Sequence, residues 1–342
     1  MVDEQAFSLK NGLSPFGIAF YIAPYINATV RVGTQNEKLI LFESMLDYKG
    51  YEQIPSTKRG CKGQTETRVE QACRNCNNIK NRQTKARDTS LEIIKSLIIN
   101  NNLLDNKILL VQLEEDLATE KTLTGLIANQ LMAEYQKPVL LLNKVIDEDK
   151  NITWEGSGRG LSNSKFDDFR QFIVDSHLAN WGEGHANAFG CSISDDKIND
   201  FITYSNDKLK DFNFSPSYKV DYIFNHADMK NEDILALAEL KSIWGQGVEE
   251  PLIAIENVKV HNSNIRLMSA NKNPTLKITL PNGISLIKFR SSEEEYQKLC
   301  SELGCVTINI VGKCERNMWN GIVSPQILLE DYEIVGRTEY YF

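Results

Sequence analysis

Ile108-Leu109-Leu110-Val111-Gln112-Leu113, the amphipathic stretch Thr122 to Gln136, and Pro138-Val139-Leu140-Leu141-Leu142 form the passage that decides the fold. Two short apolar runs of strand length enclose a segment whose apolar residues recur at helical spacing. Strand, helix, strand in that order is the signature of a βαβ unit in an α/β layer. Outward from it, a strand near Ile152, a helix near Lys165 to Ala179, a Gly-containing loop and a short strand around Cys191 to Ile193 complete a compact α/β unit. On the other side, Val69, Ala72, Cys73, Cys76, Ile79, Ala86, Ile93, Ile94 and Leu97 recur at steps of three, four or seven, which predicts one helix of more than 30 residues. Before it, Pro15 to Gly33 reads as a structured loop entering a helix. Glu37 to Tyr48 has helical periodicity, and Gly50 to Gly63 reads as a connecting loop.

Helical stretches at Asp195 to Asp211 and Asn231 to Ile243 flank an apolar patch at Val220 to Phe224, and beyond Pro251 the texture turns to strands. Leu252 to Val260, Leu276 to Leu280, Ile284 to Phe289, Val306 to Val311 and Ile327 to Ile334 give five strands, with a helix near Glu293 to Leu303 between the third and fourth. That arrangement predicts a small barrel of the oligonucleotide/oligosaccharide-binding (OB) type. The fold class is therefore α/β plus β. Its expected domains are a helical connector over 1–104, an α/β domain over 105–196, a helical linker over 197–247 and an OB-like barrel over 248–342.

Composition agrees with a folded, soluble chain: 342 residues, 42% hydrophobic and 25% charged, with 20 Gly and 9 Pro. The longest apolar runs, such as Val139 to Leu142, fall far short of the ~18 residues of a membrane span, and no signal pattern opens the chain, so the expected location is cytoplasmic and no membrane partner is expected. Seven irregularly spaced Cys fit reduced thiols better than a disulfide framework. The net charge of −8 hides a reversal: residues 58–87 carry nine Lys and Arg against Glu66 and Glu70, a local net of +7. Such a segment is either an anion-binding surface or a solvated helix face.

Two Gly-rich strings carry candidate chemistry. In Gly156-Ser157-Gly158-Arg159-Gly160 the glycines would let backbone approach an anion, Ser157 adds a hydroxyl and Arg159 can fork onto a phosphate; a flexible surface turn is the plainer alternative. In the loop from Gly182 to Gly190, small residues around His185 leave room for a ligand to reach its ring, against a structural role for a lone His. Asn27 and Arg31, four apart, share one face if helical, and either address one phosphate or form a cap and a solvent-facing Arg. Cys73-x-x-Cys76, with Cys61 as a third ligand, resembles half a metal knuckle but lies on an apolar helix stripe and lacks a fourth ligand nearby, so core packing is favoured. Asp147 and Asp149 read as a solvated turn, and no metal site is expected. Trp319, in Asn317-Met318-Trp319-Asn320-Gly321, either stacks a base or plugs the barrel end.

Taken in order, these elements resemble the C-terminal portion of the RecJ family of single-strand-specific 5′-to-3′ DNA exonucleases, within the DHH phosphoesterase superfamily. Ala23-Pro24-Tyr25-Ile26-Asn27-Ala28-Thr29-Val30-Arg31 looks like the family's A-P-R-I-N-A-x-G-R, with Tyr25 and Val30 departing from it. Asn81-Arg82-Gln83 resembles a segment of the interdomain helix, and Thr124-Gly125-Leu126-Ile127-Ala128 with Tyr135, Pro138 and Val139 resembles the following helix and strand. Ser157-Gly158-Arg159 matches S-G-R, and Gly184-His185 with Ala188 and Gly190 matches G-G-H-x-x-A-A-G, Glu183 replacing its first Gly. Trp244-Gly245-Gln246-Gly247 with Glu250 and Pro251, and Trp319-Asn320-Gly321 with Gln326 to Asp331, are similar to the entry and closing strand of the family's OB domain.

The resemblance implies that the α/β unit is the DHH-associated domain. It implies that Asn27, Arg31, Arg82, Ser157, Gly158, Arg159, Gly184, His185 and Trp319 contact nucleic acid or its phosphates, and that the chain serves DNA recombination, repair or phage DNA metabolism. The family's metal-binding Asp and His motifs lie N-terminal to the matched portion, and residues 1–20 have no room for them. The expectation is thus a C-terminal fragment or split subunit, inactive alone, that binds no cofactor itself while the complete enzyme uses Mn or Mg. Its expected partners are single-stranded DNA, a DHH catalytic domain or subunit, and a single-strand-binding protein or helicase. The competing readings are a non-catalytic scaffold for replication proteins and a dinucleotide phosphoesterase.

Overall fold

The computed structural model describes residues 1–6, 9, 13–225, 229–245, 247–269, 274–300 and 304–339. They gather into two compact units, Met1–Leu13 with Gly17–Ser217, and Ser14–Phe16 with Tyr218–Phe342. Among the described residues no helix is long and apolar enough to cross a membrane.

The chain enters through α1 (Pro15–Gly17), a π-helical turn at Ile18–Ile22 and α2 (Ala23–Val32), so the expected loop is helical almost throughout. Pro24, which read as a loop residue, is compatible with helix because it falls in the first turn of α2, where its missing N–H costs no helical bond. Then come α3 (Gln35–Ser44), α4 (Asp47–Gly50), and a small antiparallel ribbon of β1 (Gln53–Pro55) and β2 (Thr65–Thr67) inside the expected connecting loop. The long helix α5 (Arg68–Asn100) has 33 residues. A capping box starts it: the Thr67 hydroxyl accepts from the Glu70 N–H, and the Glu70 carboxylate accepts from the Thr67 N–H.

The α/β sheet follows, from β3 (Leu109–Leu113), α6 (Lys121–Tyr135), β4 (Val139–Ile146), β5 (Ile152–Arg159), α7 (Phe169–Asp175), β6 (Ala179–His185), β7 (Ala188–Ser194) and α8 (Ile198–Lys208). Its order is β3-β4-β5-β7-β6, with β3 and β4 parallel across α6 and the rest antiparallel. In β3 and β4 successive residues feed opposite cores: Leu140 and Leu142 join Trp154, Phe169 and Phe189 on one face, while Val139 and Leu141 join Ile94, Ile98, Ile127 and Leu131 on the other. Burial on both faces is why these strands read as unbroken apolar runs. Both Gly-rich strings are strand, contrary to the loop expectation. Gly156 to Arg159 closes β5, and Gly182 to Gly190 spans the β6–β7 hairpin.

The second unit holds β8 (Tyr222–Asn225), α9 (Asn231–Glu239), β9 (Ile253–His261), β10 (Ile265–Met268), β11 (Thr275–Thr279), β12 (Ser285–Phe289), α10 (Glu293–Leu299), β13 (Gly304–Trp319) and β14 (Ile322–Glu339). Its sheet runs β10-β11-β12-β14-β13-β9-β8, seven strands rather than five. Among the described residues no pairing joins the end strands β8 and β10, so the OB-like sheet is an open ladder and not a closed barrel. Two of the expected strands are only the buried centres of β13 and β14, because the outer halves carry exposed residues that periodicity cannot distinguish from loop. Gln246 of the Trp-Gly-Gln-Gly motif, and residues 301–303 of the expected helix, lie outside the described residues.

Candidate anion-binding site

The site lies on one face of the first unit's sheet. Ser157 pairs with Gly190 and Gly190 with Glu183; Arg159 pairs with Ala188 and Ala188 with His185. Directly paired residues point to the same side of a sheet, and so do residues two apart on one strand. Ser157, Arg159, Glu183 and His185 therefore share a face, with only Gly190 and Ala188 on the strand between. The result is a furrow with a small-residue floor. Arg159 and His185 stand two strand spacings apart across it, about 10 Å.

α6 forms the wall over β5. The Thr124 hydroxyl lies 2.9 Å from Ser157 Oγ and donates to the Lys121 carbonyl at 2.9 Å. Gly125 is bare because the Arg159 guanidinium lies against the helix there: a β-carbon would overlap its Nη2 and stand 3.5 Å from Ser157 Oγ. Opposite, the Trp181 ring lies over Gly190, 3.2 Å from where a β-carbon would sit.

The cations near the site are not tied up in ion pairs among the described residues, although Glu183 stands on the same face across the furrow. Burial first, and then the positive charge of Arg31, push the Arg159 pKa down. Lys80 on α5 is likewise lowered by burial, then by Arg87 and Arg31. The charge of Arg31 thus bears on both Lys80 and Arg159, and among the described residues none of the three forms an ion pair with a carboxylate, while nearby Glu155 on β5 is answered by Lys121 at 3.7 Å. Cations gathered this way, with a hydroxyl pair beside them, are complementary to a phosphate, onto which an Arg can place two parallel hydrogen bonds. Like charges brought close without an ion pair are also a cost to folding, which a bound anion lowers.

The residues singled out from sequence divide accordingly. Ser157 and Arg159 meet, Arg31 faces them electrostatically, and His185 stands exposed on the far side of the furrow without a hydrogen bond among the described residues. Asn27 is exposed on α2, one turn before Arg31. Arg82 is engaged elsewhere, its Nη2 lying 3.1 Å from the Glu37 carboxylate. Gly158 points to the opposite face, where a side chain would overlap the Phe189 ring, and Gly184 holds the hairpin with φ 130° and no room for a β-carbon beside the Phe189 backbone. At both positions a side chain is excluded by close packing. Trp319 is in the second unit, 72% exposed at the β13–β14 turn, so it plugs no barrel end.

Lys80, Thr124, Gly125 and Trp181 were not among the site residues expected from sequence, although Thr124 and Gly125 fall in a motif of the resemblance. A glycine inside a helix costs up to ~1 kcal/mol against Ala and so signals a close approach, which was the available clue for Gly125. The basic segment 58–87 proves mixed: Arg68, Arg74, Arg82 and Arg87 are in ion pairs, whereas Lys58, Arg59, Lys62, Lys80 and Lys85 are in none among the described residues. Cys76 is a buried acceptor for the Thr29 hydroxyl at 3.2 Å, a packing role. Among the described residues no three His, Cys, Asp or Glu side chains converge as a divalent cation would require.

Comparison with known proteins adds three findings. Residues 220–331 match the family model described as the RecJ OB domain. Over 98% of the chain there is 35% identity to two curated proteins named as single-strand DNA-specific exonucleases, YorK of the SPβ prophage in Bacillus subtilis strain 168 and yorK of Bacillus phage SPbeta. The chain spans 58% of their length. The crystal structure of RecJ with Mn2+ from Thermus thermophilus superposes over 97% of this chain and 43% of its own, with a TM-score of 0.61 and 15% identity. The Mg2+ complex from the same organism gives 96%, 45%, 0.59 and 15%, and at such identity the likeness speaks for the fold.

Proposed function

We propose that this chain, which is 35% identical over 98% of its length to proteins named as single-strand DNA-specific exonucleases and matches the RecJ OB domain over residues 220–331, is the strand-gripping portion of a single-strand-DNA exonuclease. The carrying observation is Arg159, which forms no ion pair among the described residues and feels the charge of Arg31, set beside the Thr124–Ser157 hydroxyl pair at a furrow floored by Gly190 and Ala188. A phosphodiester entering the furrow meets Arg159 held against α6, exchanges the mutual repulsion of the cations for attraction, and is fixed in position. Trp181 offers a ring face for an adjacent base. His185 lines the far side of the furrow, within reach of the next phosphate along. None of these groups is a nucleophile with its base; their part is to orient the strand, which is itself a large share of phosphodiester catalysis.

Phosphate contacts imply a definite salt dependence, with about 0.7 of a unit in the log–log slope for each single-strand phosphate neutralised. Fluorescence anisotropy with a labelled oligonucleotide across a salt series tests the reading. The expected result is single-strand binding that weakens steeply with salt, and an Arg159→Ala variant that binds about tenfold more weakly with a shallower slope, at unchanged melting temperature. Salt-independent binding, equal affinity for duplex, or an unchanged Arg159→Ala variant would refute it.

A further inference from the structure

The outer part of the β13–β14 hairpin has no role in the site above. β9 pairs with β13 only as far as Gly312, and β12 reaches β14 only at Gln326 to Leu328. Buried Cys314 and the Lys241–Glu315 ion pair still hold the next residues of β13 to the unit, and from Arg316 the two strands pair only with each other. A register shift in the β13–β14 pairing lies between Val311 and Gly312, four residues before the exposed part begins. Asn320 and Gly321, with φ 49° and 78°, close it with the two positive-φ residues that a tight hairpin turn requires. Every residue from Arg316 to Val323 is exposed.

What this tip displays is unusual for a solvated turn. Met318 is 62% exposed, Trp319 72%, Ile322 71% and Val323 46%. Trp319 pairs with Ile322, and Met318 with Val323, so the pairs occupy opposite faces of the ribbon. A strand ribbon that packs on a protein surface needs one apolar face; this blade has two. Its eight exposed residues contain one charge, Arg316, and no carboxylate, in a chain of net −8, and Asn317 and Asn320 are interleaved with the apolar side chains. Two apolar faces, hydrogen-bonding amides and an absence of acids suit contact with nucleic-acid bases.

Thickness decides how the blade could meet them. A ribbon with side chains on both faces is about 10 Å thick, too much to enter between stacked bases as a single side chain does. It fits where stacking already ends. We propose that the β13–β14 tip is a wedge for a single-strand/duplex fork: Trp319 with Ile322 covers the terminal base pair, and Met318 with Val323 lies along the strand that leaves it. The inference rests on the single-strand reading above and extends it to tailed duplexes.

The test compares the whole chain and two variants, Trp319→Ser/Ile322→Ser and Met318→Ser/Val323→Ser, on a single-stranded oligonucleotide and on the same strand as the 5′ tail of a duplex. The substitutions are at exposed positions, and unchanged melting temperatures check that the fold is kept. The expected result is that the native chain binds the tailed duplex about tenfold more tightly than the tail alone. The Trp319/Ile322 variant should lose that preference while binding the tail alone within twofold of the native chain, and the Met318/Val323 variant should lose part of it. The wedge is overturned if the native chain shows no preference for the fork, if the variants keep it, or if they lose tail and fork binding equally, which would make the tip a general strand grip. Loss of a self-association by the variants in sedimentation, with fork binding intact, also overturns it. Failure of the single-strand reading looks different: the native chain would then bind neither ligand.

Discussion

One face of the α/β sheet carries two surfaces of opposite character. Over β3 and β4 it presents Leu109, Val111, Val139 and Leu141, all fully buried under α5 and α6. Over β5, β7 and β6 the same face presents Ser157, Arg159, Gly190, Ala188, Glu183 and His185, and α6 covers only its near edge. The backbone is continuous across the boundary; only the side chains change. Helices settle where apolar residues can be buried, and the uncovered half of the face is where small and cationic residues stand. The candidate site is thus the part of a layer that the fold leaves without a cover.

The contrast is broken first by stability measurements. Leu141→Ala removes a side chain enclosed by Ile127, Leu131 and Val139, and should cost about 2–5 kcal/mol in denaturant unfolding, whereas Ala188→Ser on the exposed half should stay within about 0.5 kcal/mol. Comparable costs at the two positions would show that the open half is packed after all.

Next in size is Gly125→Ala. A new methyl displaces the end of the Arg159 side chain and not backbone, so the helix should hold its stability or gain up to ~1 kcal/mol from Ala's propensity. Binding of single-stranded oligonucleotide should nonetheless fall about tenfold, ~1.4 kcal/mol, because the guanidinium loses its seat. A drop in stability together with binding would make Gly125 a packing glycine only.

The boundary between the two halves was only partly legible in the sequence. The βαβ passage was plain because burial on both sides of β3 and β4 leaves runs with no polar interruption, and α5 because its apolar stripe persists through 33 residues. The strands β5, β6 and β7 were partly hidden for the reason that makes them interesting. One face of each is small or polar, so the alternation that marks a strand is lost, and Gly156, Gly182 and Gly184 look like turn residues. Gly156 instead has the Leu141 carbonyl where a β-carbon would be, which only the sheet pairing reveals. Lys80 had no local mark; the charge of Arg31 reaches it because α2 lies along α5.

A smaller effect concerns that charge. Arg31→Gln removes the charge that presses on both Arg159 and Lys80, so the Lys80 pKa should rise toward its ordinary value. Stability should improve by about 0.5 kcal/mol at low salt while strand binding weakens several-fold. A nuclear magnetic resonance titration of the Lys80 side chain, beside urea unfolding, checks both signs. Lower stability in the variant would mean that Arg31 has a structural partner.

The smallest expected effect is at Arg82, whose exposed guanidinium is held by Glu37. Burial alone would raise the Glu37 pKa, but it is outweighed by hydrogen bonds from the Thr34 N–H, Arg82 and the Thr34 hydroxyl and by the Arg82 charge, so the carboxyl titrates below its ordinary value. For a carboxyl depressed in the folded state, the stabilisation is present above the unfolded pKa, about 4.3, and is lost as pH falls through the lower folded value. Arg82→Gln should therefore cost about 0.3–0.5 kcal/mol at neutral pH, and the difference from the native chain should vanish toward pH 3. Glu37→Gln separates the two roles of this arginine. If Arg82 also reaches the strand, freeing it should strengthen oligonucleotide binding about twofold in anisotropy; unchanged binding would leave Arg82 as the partner that steadies the α3 cap, on the structural side of the boundary.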